Sequence, residues 1–387
     1  MRILIVSQYY RPAYSFGGAV QTAVTLAEGL ARIGHEVSVA TTTRLDVRNR
    51  PPRRSRTENI SGVTVYYLGV WWRFRKSNLN PAIVNFMLPG NFGYDVLHVI
   101  GLYDSLGPCL ASVARWRRVP YTIQPAGMLI AGKRTLCGKR LYHNLVGRRY
   151  LSGAEAVVVT SSKEWDDAIH FGIKPEYLLL RRQGMDMSEY KCLPPKGRFR
   201  QQWGIPDAVP LILWLGRIDP IKNLEQLLAA LSGLIDLPWR LCIVGPTETP
   251  KYLDSLKRMA SQLAISSRVQ FVPPLYGPEK LAAFADAYLL ALVSLSENWG
   301  NSAQSAVAAG VPVLITKTCG FSEIIERGGG LSVLLGIDPI REGLRRLLLD
   351  SEFYQLCKSQ LPSLVVAMPT DEQVLQMANL FEDLIHQ

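Results

Sequence analysis

"MRILIVSQYYRPAYSFGGAVQTAVTLAEGLARIGHEVSVATTT" occupies residues 1–43 and decides the fold. Ile3 to Val6 is an unbroken apolar run, as a strand covered on both faces requires. The loop "SQYYRPAYSFGGAV" follows. Val20, Ala23, Val24, Ala27, Leu30 and Ala31 then recur at helical spacing. "IGHEVSVATTT" reads as helix stop, turn and second strand. A strand–loop–helix–strand unit of this size implies a parallel sheet with a right-handed crossover.

Outward from there, further strands are expected at Val63–Tyr67, Asp95–Ile100, Tyr121–Gln124 and Ala156–Thr160. Proline and basic residues gather in "YKCLPPKGRFRQQWGIP", the expected linker and start of a second domain. Beyond it "LILWLG", "RLCIVG", "RVQFVPP", "AYLLALVS" and "VPVLIT" alternate with helical patterns, again apolar throughout. The tail "TDEQVLQMANLFEDLIHQ" opens with Thr370 and Gln373 at capping-box spacing and lines Val374, Met377, Ala378, Phe381, Leu384 and Ile385 along one face. The expectation is α/β: two doubly wound Rossmann-like domains, residues 1–192 and 193–369, with a helix over 370–387.

Composition narrows the function. At 387 residues the chain exceeds one ordinary core, and 48% hydrophobic with 19% charged residues is globular, not disordered. No apolar run approaches a membrane span of roughly 18 residues. The short apolar start has no small-residue cleavage site after it, so no signal peptide is expected. The six cysteines (109, 137, 192, 242, 319, 357) form no CxxC pair and no cluster with histidine, which reads as thiols in a reducing cytoplasm. The net charge of +11 is lopsided: residues 1–190 hold 25 Lys and Arg against 13 Asp and Glu, and residues 191–387 hold 18 against 19. Such a half fits an anionic partner. "VWWRFRKSN" (Val70 to Asn78) and "KRTLCGKRLYHNLVGRRYL" (Lys133 to Leu151) mix basic with aromatic or aliphatic residues, a pattern for an anionic membrane surface with Trp71 and Trp72 at the interface. No nucleic-acid module is recognisable.

In doubly wound sheets ligands bind beyond the carboxyl ends of the strands, and two facing domains would form a cleft there. Three loops at such ends carry phosphate-binding chemistry. Gly17–Gly18 precedes a helix, where glycine permits close approach and the helix supplies amides. In "LGRIDPIKNL", Gly216 and Arg217 follow a strand and Lys222 comes five residues later, two cations able to clamp a diphosphate. In "SENWGNSAQSAVAAGVPVL", Gly300, Asn301 and Ser302 open a helix beside Glu297, a carboxylate able to receive polyol hydroxyls while the amides hold a phosphate.

These three stretches, in this order, with "RQGMDMSEY" between them, resemble a retaining nucleotide-sugar-dependent glycosyltransferase of family 4 with a GT-B fold, over essentially the whole chain. The resemblance implies an acceptor domain followed by a donor domain, with the final helix crossing back to the first. It implies that Arg217 and Lys222 hold the donor diphosphate, that Gly17, Gly18, Gly216, Gly300, Asn301 and Ser302 approach it, and that Glu297 contacts the donor sugar. It implies no metal and no cofactor besides the sugar nucleotide. On the acceptor side it implies His98, Ala126 and Gly127. The partners implied are a nucleoside diphosphate sugar and a saccharide or lipid-linked acceptor, in cell-surface polysaccharide or glycolipid synthesis, in the cytoplasm or peripherally at the inner face of the membrane.

The chain departs from the family at three places. Ser305 stands where a second Glu clamps the ribose hydroxyls, and losing a charged hydrogen bond of about 1.5–3 kcal/mol would weaken nucleotide binding on the order of ten- to a hundredfold. Ala126 stands where a His or Arg is usual, and Ile100 where a second His is common. The rival reading is a non-catalytic relative that binds nucleotide or saccharide within an assembly complex. Survival of Glu297, Arg217 and Lys222 favours the enzyme.

Overall fold

The computed structural model describes residues 1–45, 51–74, 77–88, 90, 92–129, 147–185, 187–247, 249–366 and 370–386. The chain divides into two compact units, Met1–Gly184 with Thr370–Gln387, and Met185–Pro369.

The first unit is built on β1 (Arg2–Ser7), β2 (Glu36–Thr42), β3 (Arg56–Ile60) and β4 (Val63–Leu68), with β7 (Val96–Ile100), β8 (Tyr121–Gln124), β9 (Ala156–Val159) and β10 (Leu178–Leu180). They form one sheet in the order β10-β9-β8-β7-β1-β2-β4-β3. Every pairing is parallel except β3 with β4. The strand order reverses between β1 and β7. A separate hairpin joins β5 (Trp72–Phe74) to β6 (Ser77–Leu79). The apolar run of β1 is buried because the helix Gly18–Arg32 covers one face of the sheet and Leu106–Trp116 the other.

The tail helix Thr370–His386 belongs to this first core: Val374, Met377, Ala378 and Phe381 join Val20, Val24 and Ala27 there. Each apolar side chain so buried contributes about 1.5–3 kcal/mol. Gly29 is what lets the two helices meet, since a Cβ there would lie 2.4 Å from Val374 Cγ2. Gln376 Nε2 adds a hydrogen bond to the Leu180 carbonyl at 3.2 Å.

The second unit holds β11 (Leu211–Leu215), β12 (Arg240–Val244), β13 (Val269–Val272), β14 (Leu289–Leu292), β15 (Val313–Thr316) and β16 (Gly330–Val333). Its order is β13-β12-β11-β14-β15-β16, all parallel. That is the 3-2-1-4-5-6 order of a dinucleotide-binding sheet, with its switch point between β11 and β14. The boundary falls at Gly184, earlier than the expected 192, because Tyr190 already packs into the second core with Phe199 and Trp299.

Candidate functional site

The two loops at the switch point of the second unit carry the predicted cations and carboxylate. After β11 the chain runs through Gly216, Arg217 and Ile218 to the 3-10 turn Pro220–Lys222. Asp219 caps this turn by accepting from the Ile221 amide at 3.1 Å. Asn223 then adopts a left-handed conformation (φ 58°) and starts the helix Leu224–Ser232. Its buried side chain donates to the Val293 carbonyl at 3.1 Å, and the Leu295 amide donates to Ile221 O at 2.8 Å. Those two bonds tie the β11 loop to the loop after β14. Their product is the contact of Lys222 Nζ with Glu297 Oε2, an ion pair whose side chains are only 16% and 21% exposed. Arg217 lies half-buried on the same loop as Lys222.

Glu297 is fixed from behind as well. Its amide donates to Thr318 O at 3.2 Å, and its carbonyl accepts from Gly320 at 3.1 Å. Trp299, 2% exposed, packs edge-on against Phe321 and donates from Nε1 to Gln304 Oε1 at 3.0 Å. Gly300 is the N-cap of the helix Asn301–Ala308, at φ 111°, a conformation that favours glycine. The Gly300 carbonyl accepts from the amides of Ala303 and Gln304, so the amides of Asn301 and Ser302 are the first of the helix's unbonded donors. The predicted group of a carboxylate, a cation and helix amides therefore comes together on one unit.

Three residues that shape this site were not singled out from the sequence. Gly245, after β12, packs against the Gly216 backbone so closely that a Cβ would sit 1.7 Å from Gly216 O. Asn223 and Gly320 act through the bonds just described. Asn in a left-handed position after "IK" was the one available local signal. Cys319, bridged to Glu297 through the backbone, is a core thiol. Burial, and next the Glu297 charge, push it up to about 11. Ser305 is 8% exposed and its Oγ meets Tyr190 Oη at 2.9 Å.

In the first unit, Gly17 caps the helix Gly18–Arg32 at the carboxyl end of β1. Ala126 (φ 54°) and Gly127 (φ 78°) form the turn after β8. The buried Glu164 holds that turn: its Oε1 accepts from Gly127 N at 2.6 Å, and its Oε2 from Thr160 N and Oγ1 at 2.8 and 2.9 Å. His98 does not reach a surface. It is 0% exposed in the middle of β7, with Nδ1 2.7 Å from Thr122 Oγ1 and its ring against Phe381. Burial first, then the Arg181 charge, lower its pKa to about 3. The expectation of an acceptor contact at His98 is therefore corrected to a neutral core histidine.

Trp71 and Trp72 are 60% and 61% exposed. Of the second basic stretch, residues 133–146 lie outside the described residues, as does Cys137. Among the described residues no group of three or more His, Cys, Asp or Glu could hold a metal ion, and no helix is long and apolar enough to cross a membrane.

Residues 17–181 match the family model of a glycosyl transferase 4-like domain, and residues 195–361 that of glycosyl transferases group 1. The two matches together span most of the chain, and each likens its half to a glycosyltransferase domain. An uncharacterised glycosyltransferase of Methanocaldococcus jannaschii is 28% identical over 375 residues, 91% of this chain and 90% of that protein. A D-inositol 3-phosphate glycosyltransferase of Corynebacterium glutamicum is 26% identical over 206 residues, 50% of this chain and 46% of that protein. The chain thus aligns with about half the length of such relatives. Among solved structures, sucrose-phosphate synthase of Thermosynechococcus elongatus superposes with a TM-score of 0.77 at 20% identity, over 100% of both chains. The Anabaena protein HepE in complex with UDP-glucose gives 0.79 at 18% identity, over 99% of this chain and 100% of its own. These likenesses establish the two-domain GT-B glycosyltransferase fold.

Proposed function

We propose that this glycosyltransferase moves a sugar from a nucleoside diphosphate sugar to a saccharide or lipid-linked acceptor, with retention of configuration and without a metal. The observation that carries the reading is the Lys222–Glu297 pair at the switch point, with Arg217 on the same loop as Lys222 and the helix Asn301–Ala308 opening just after Glu297. Lys222 and Arg217 hold the diphosphate, and the helix amides receive its outer oxygens. As the bond to the sugar breaks, negative charge grows on the leaving phosphate, and fixed donors in a partly buried site stabilise it best. Glu297, released from Lys222 by the incoming phosphate, orients the sugar hydroxyls. The incoming hydroxyl gives its proton to the leaving phosphate on the same face, which retains configuration. HepE, crystallised with UDP and with UDP-glucose, supports a sugar nucleotide as donor.

The test is calorimetry of the purified chain against UDP, GDP, ADP and dTDP, beside Arg217→Ala. One nucleotide should bind, and the variant should lose about ten- to a hundredfold in affinity, as expected for a charge-assisted contact of roughly 1.5–3 kcal/mol. Equal affinity in the variant removes the proposed clamp.

The basic first unit is proposed to rest on an anionic membrane surface, placing the enzyme at the inner face of the membrane near polysaccharide or glycolipid acceptors. Trp71 and Trp72 support this, as does a second exposed group: Val84, Met87 and Leu88, with Trp116 71% exposed. Arg117 joins the last two, stacking 4.6 Å from the Trp116 ring and donating to Leu88 O at 3.4 Å. Flotation with liposomes containing phosphatidylglycerol should show association that salt weakens and Trp116→Ala reduces. Equal flotation with neutral lipid, or none, rejects the contact.

A further inference from the structure

The second unit has a recess at the end of its sheet opposite the loops that carry Lys222 and Glu297. It holds about 190 Å³ where β12 and β13 begin, with Arg240, Arg268, Gln270, Ser267, Cys242 and Gly204 among its walls. Arg240 is the first residue of β12, and Arg268 directly precedes β13, an edge strand of the sheet. Leu241 pairs with Val269 in the parallel register, so the two arginines stand side by side on neighbouring strands. Cys242 pairs with Gln270 and lies two residues beyond Arg240. Side-chain alternation therefore puts Arg240, Cys242 and Gln270 on one face of the sheet. Five residue steps of about 3.3 Å, roughly 16 Å, separate Arg240 from Gly245, where the same chain meets the Gly216 backbone.

Charge and size define the occupant. No Asp or Glu contributes to the walls. Burial pushes the Cys242 thiol up to about 12, although the Arg200 and Arg240 charges act the other way, so this wall is neutral. Among the described residues the two guanidiniums donate only to backbone carbonyls. Arg240 Nη1 bonds to Ser267 O, and Arg268 bonds through Nη1 to Leu237 O at 2.7 Å and through Nη2 to Ile235 O at 3.0 Å. Arg268 also lies over the Trp239 ring, 5.3 Å from its centroid. These contacts hold both forks still yet take one of the five N–H donors on Arg240 and two of those on Arg268. Two adjacent guanidiniums call for more than one negative charge on a small group. A phosphate monoester carries about −1.5 to −2 at neutral pH and matches the forks, whereas a carboxylate brings a single charge. At about 30 Å³ per water the recess has room for about six, enough for a phosphate and a small substituent. That is less than the roughly 300 Å³ at which pockets for larger ligands begin, so a nucleoside diphosphate is excluded.

We infer that this recess is a second anion site, which takes the phosphate group of a small phosphate monoester or free inorganic phosphate. Arg240 is its charged donor and Gln270 its neutral one. The site is separate from the donor loops, so phosphate and nucleotide occupy the chain together.

Calorimetry of the full chain with inorganic phosphate and with glucose 6-phosphate tests this, in the wild type, R240Q, Q270E and R217A. The wild type and R217A should bind alike, and R240Q should lose about ten- to a hundredfold in affinity, as for a charge-assisted contact. Q270E sets a carboxylate beside the guanidiniums, so it should abolish binding while keeping the melting temperature, and it serves if R240Q fails to fold. Tighter binding of glucose 6-phosphate assigns the site to a sugar phosphate, and equal or weaker binding assigns it to the free anion. Saturation with UDP, GDP, ADP or dTDP should leave phosphate binding in place. No binding at millimolar phosphate overturns the inference, as does unchanged binding in folded Q270E. Loss of binding in R217A with retention in R240Q also overturns it, because the anion would then sit on the donor loop.

Discussion

Replacing Glu297 by glutamine removes one charge and almost no volume from the loop after β14. Glu297 and Lys222 are in contact, with side chains 21% and 16% exposed, so the pair is shielded but not dry. At a typical ion-pair separation of about 4 Å and an effective dielectric near 20, two such charges attract by about 4 kcal/mol before desolvation. The net value of a hydrogen bond to a charged group is about 1.5–3 kcal/mol, and the remaining exposure brings it to about 1–2 kcal/mol. A diphosphate that takes Lys222 must displace this carboxylate and also meets its negative charge. Glu297→Gln should therefore bind free nucleoside diphosphate about 5- to 30-fold more tightly, the equivalent of about 1–2 kcal/mol. Sugar transfer should fall by roughly a hundredfold if Glu297 orients the sugar as proposed. Calorimetry with the preferred nucleotide and an assay of nucleotide release from the sugar donor read the two effects separately. Weaker or unchanged nucleotide binding in a folded Glu297→Gln protein would refute the competition argument.

Two further expectations concern the frame around the site and the core of the first unit. Gly245→Ala puts a Cβ 1.7 Å from Gly216 O at φ 150°, so it should cost about 3 kcal/mol or more and disable the Arg217 loop. A lowered unfolding midpoint together with lost nucleotide affinity is the expected pair of results, and an unchanged midpoint contradicts the close packing. His98, with its pKa lowered to about 3 from an unfolded value near 6.5, takes up a proton more readily when unfolded. Stability is thus undiminished above about pH 6.5 and falls as the pH drops from there toward 3, by up to about 1.4 kcal/mol per pH unit. Urea titrations at pH 7, 6 and 5 should show a shallower loss in His98→Asn than in the wild type. Parallel pH profiles would show that His98 does not titrate this way.

Much of the architecture was legible along the chain because burial on both faces of a parallel strand leaves an apolar run. β1, β2, β4, β7, β8 and β9 and five of the six strands of the second unit lie within or close to the stretches read from sequence. The strands that escaped are edge strands or strands of only three or four residues. β3 is an antiparallel edge whose Thr57, Glu58 and Asn59 are exposed, and β10 and β16 are short and only half-buried. Arg217, Lys222, Glu297 and the helix opening at Gly300 could be read because each lies in the loop that follows a strand, where local chemistry and topology coincide. The same local reading misplaced His98: the sequence shows a histidine near a strand's end but not that Phe381, some 280 residues on, covers it.

Contacts across long stretches of sequence were decided by the tertiary structure alone. The chain itself determined that two mostly parallel sheets form, that the first half carries the charge, and that two cations, a carboxylate and a helix start follow neighbouring strands of the second unit. Only folding brought Lys222 against Glu297, Gly245 against Gly216, Val374 against Gly29 and Tyr190 against Ser305. Each of these pairs joins residues with no periodic relation to one another, so no pattern in the sequence records them. They arise because close-packed neighbours must share space and satisfy each other's polar atoms.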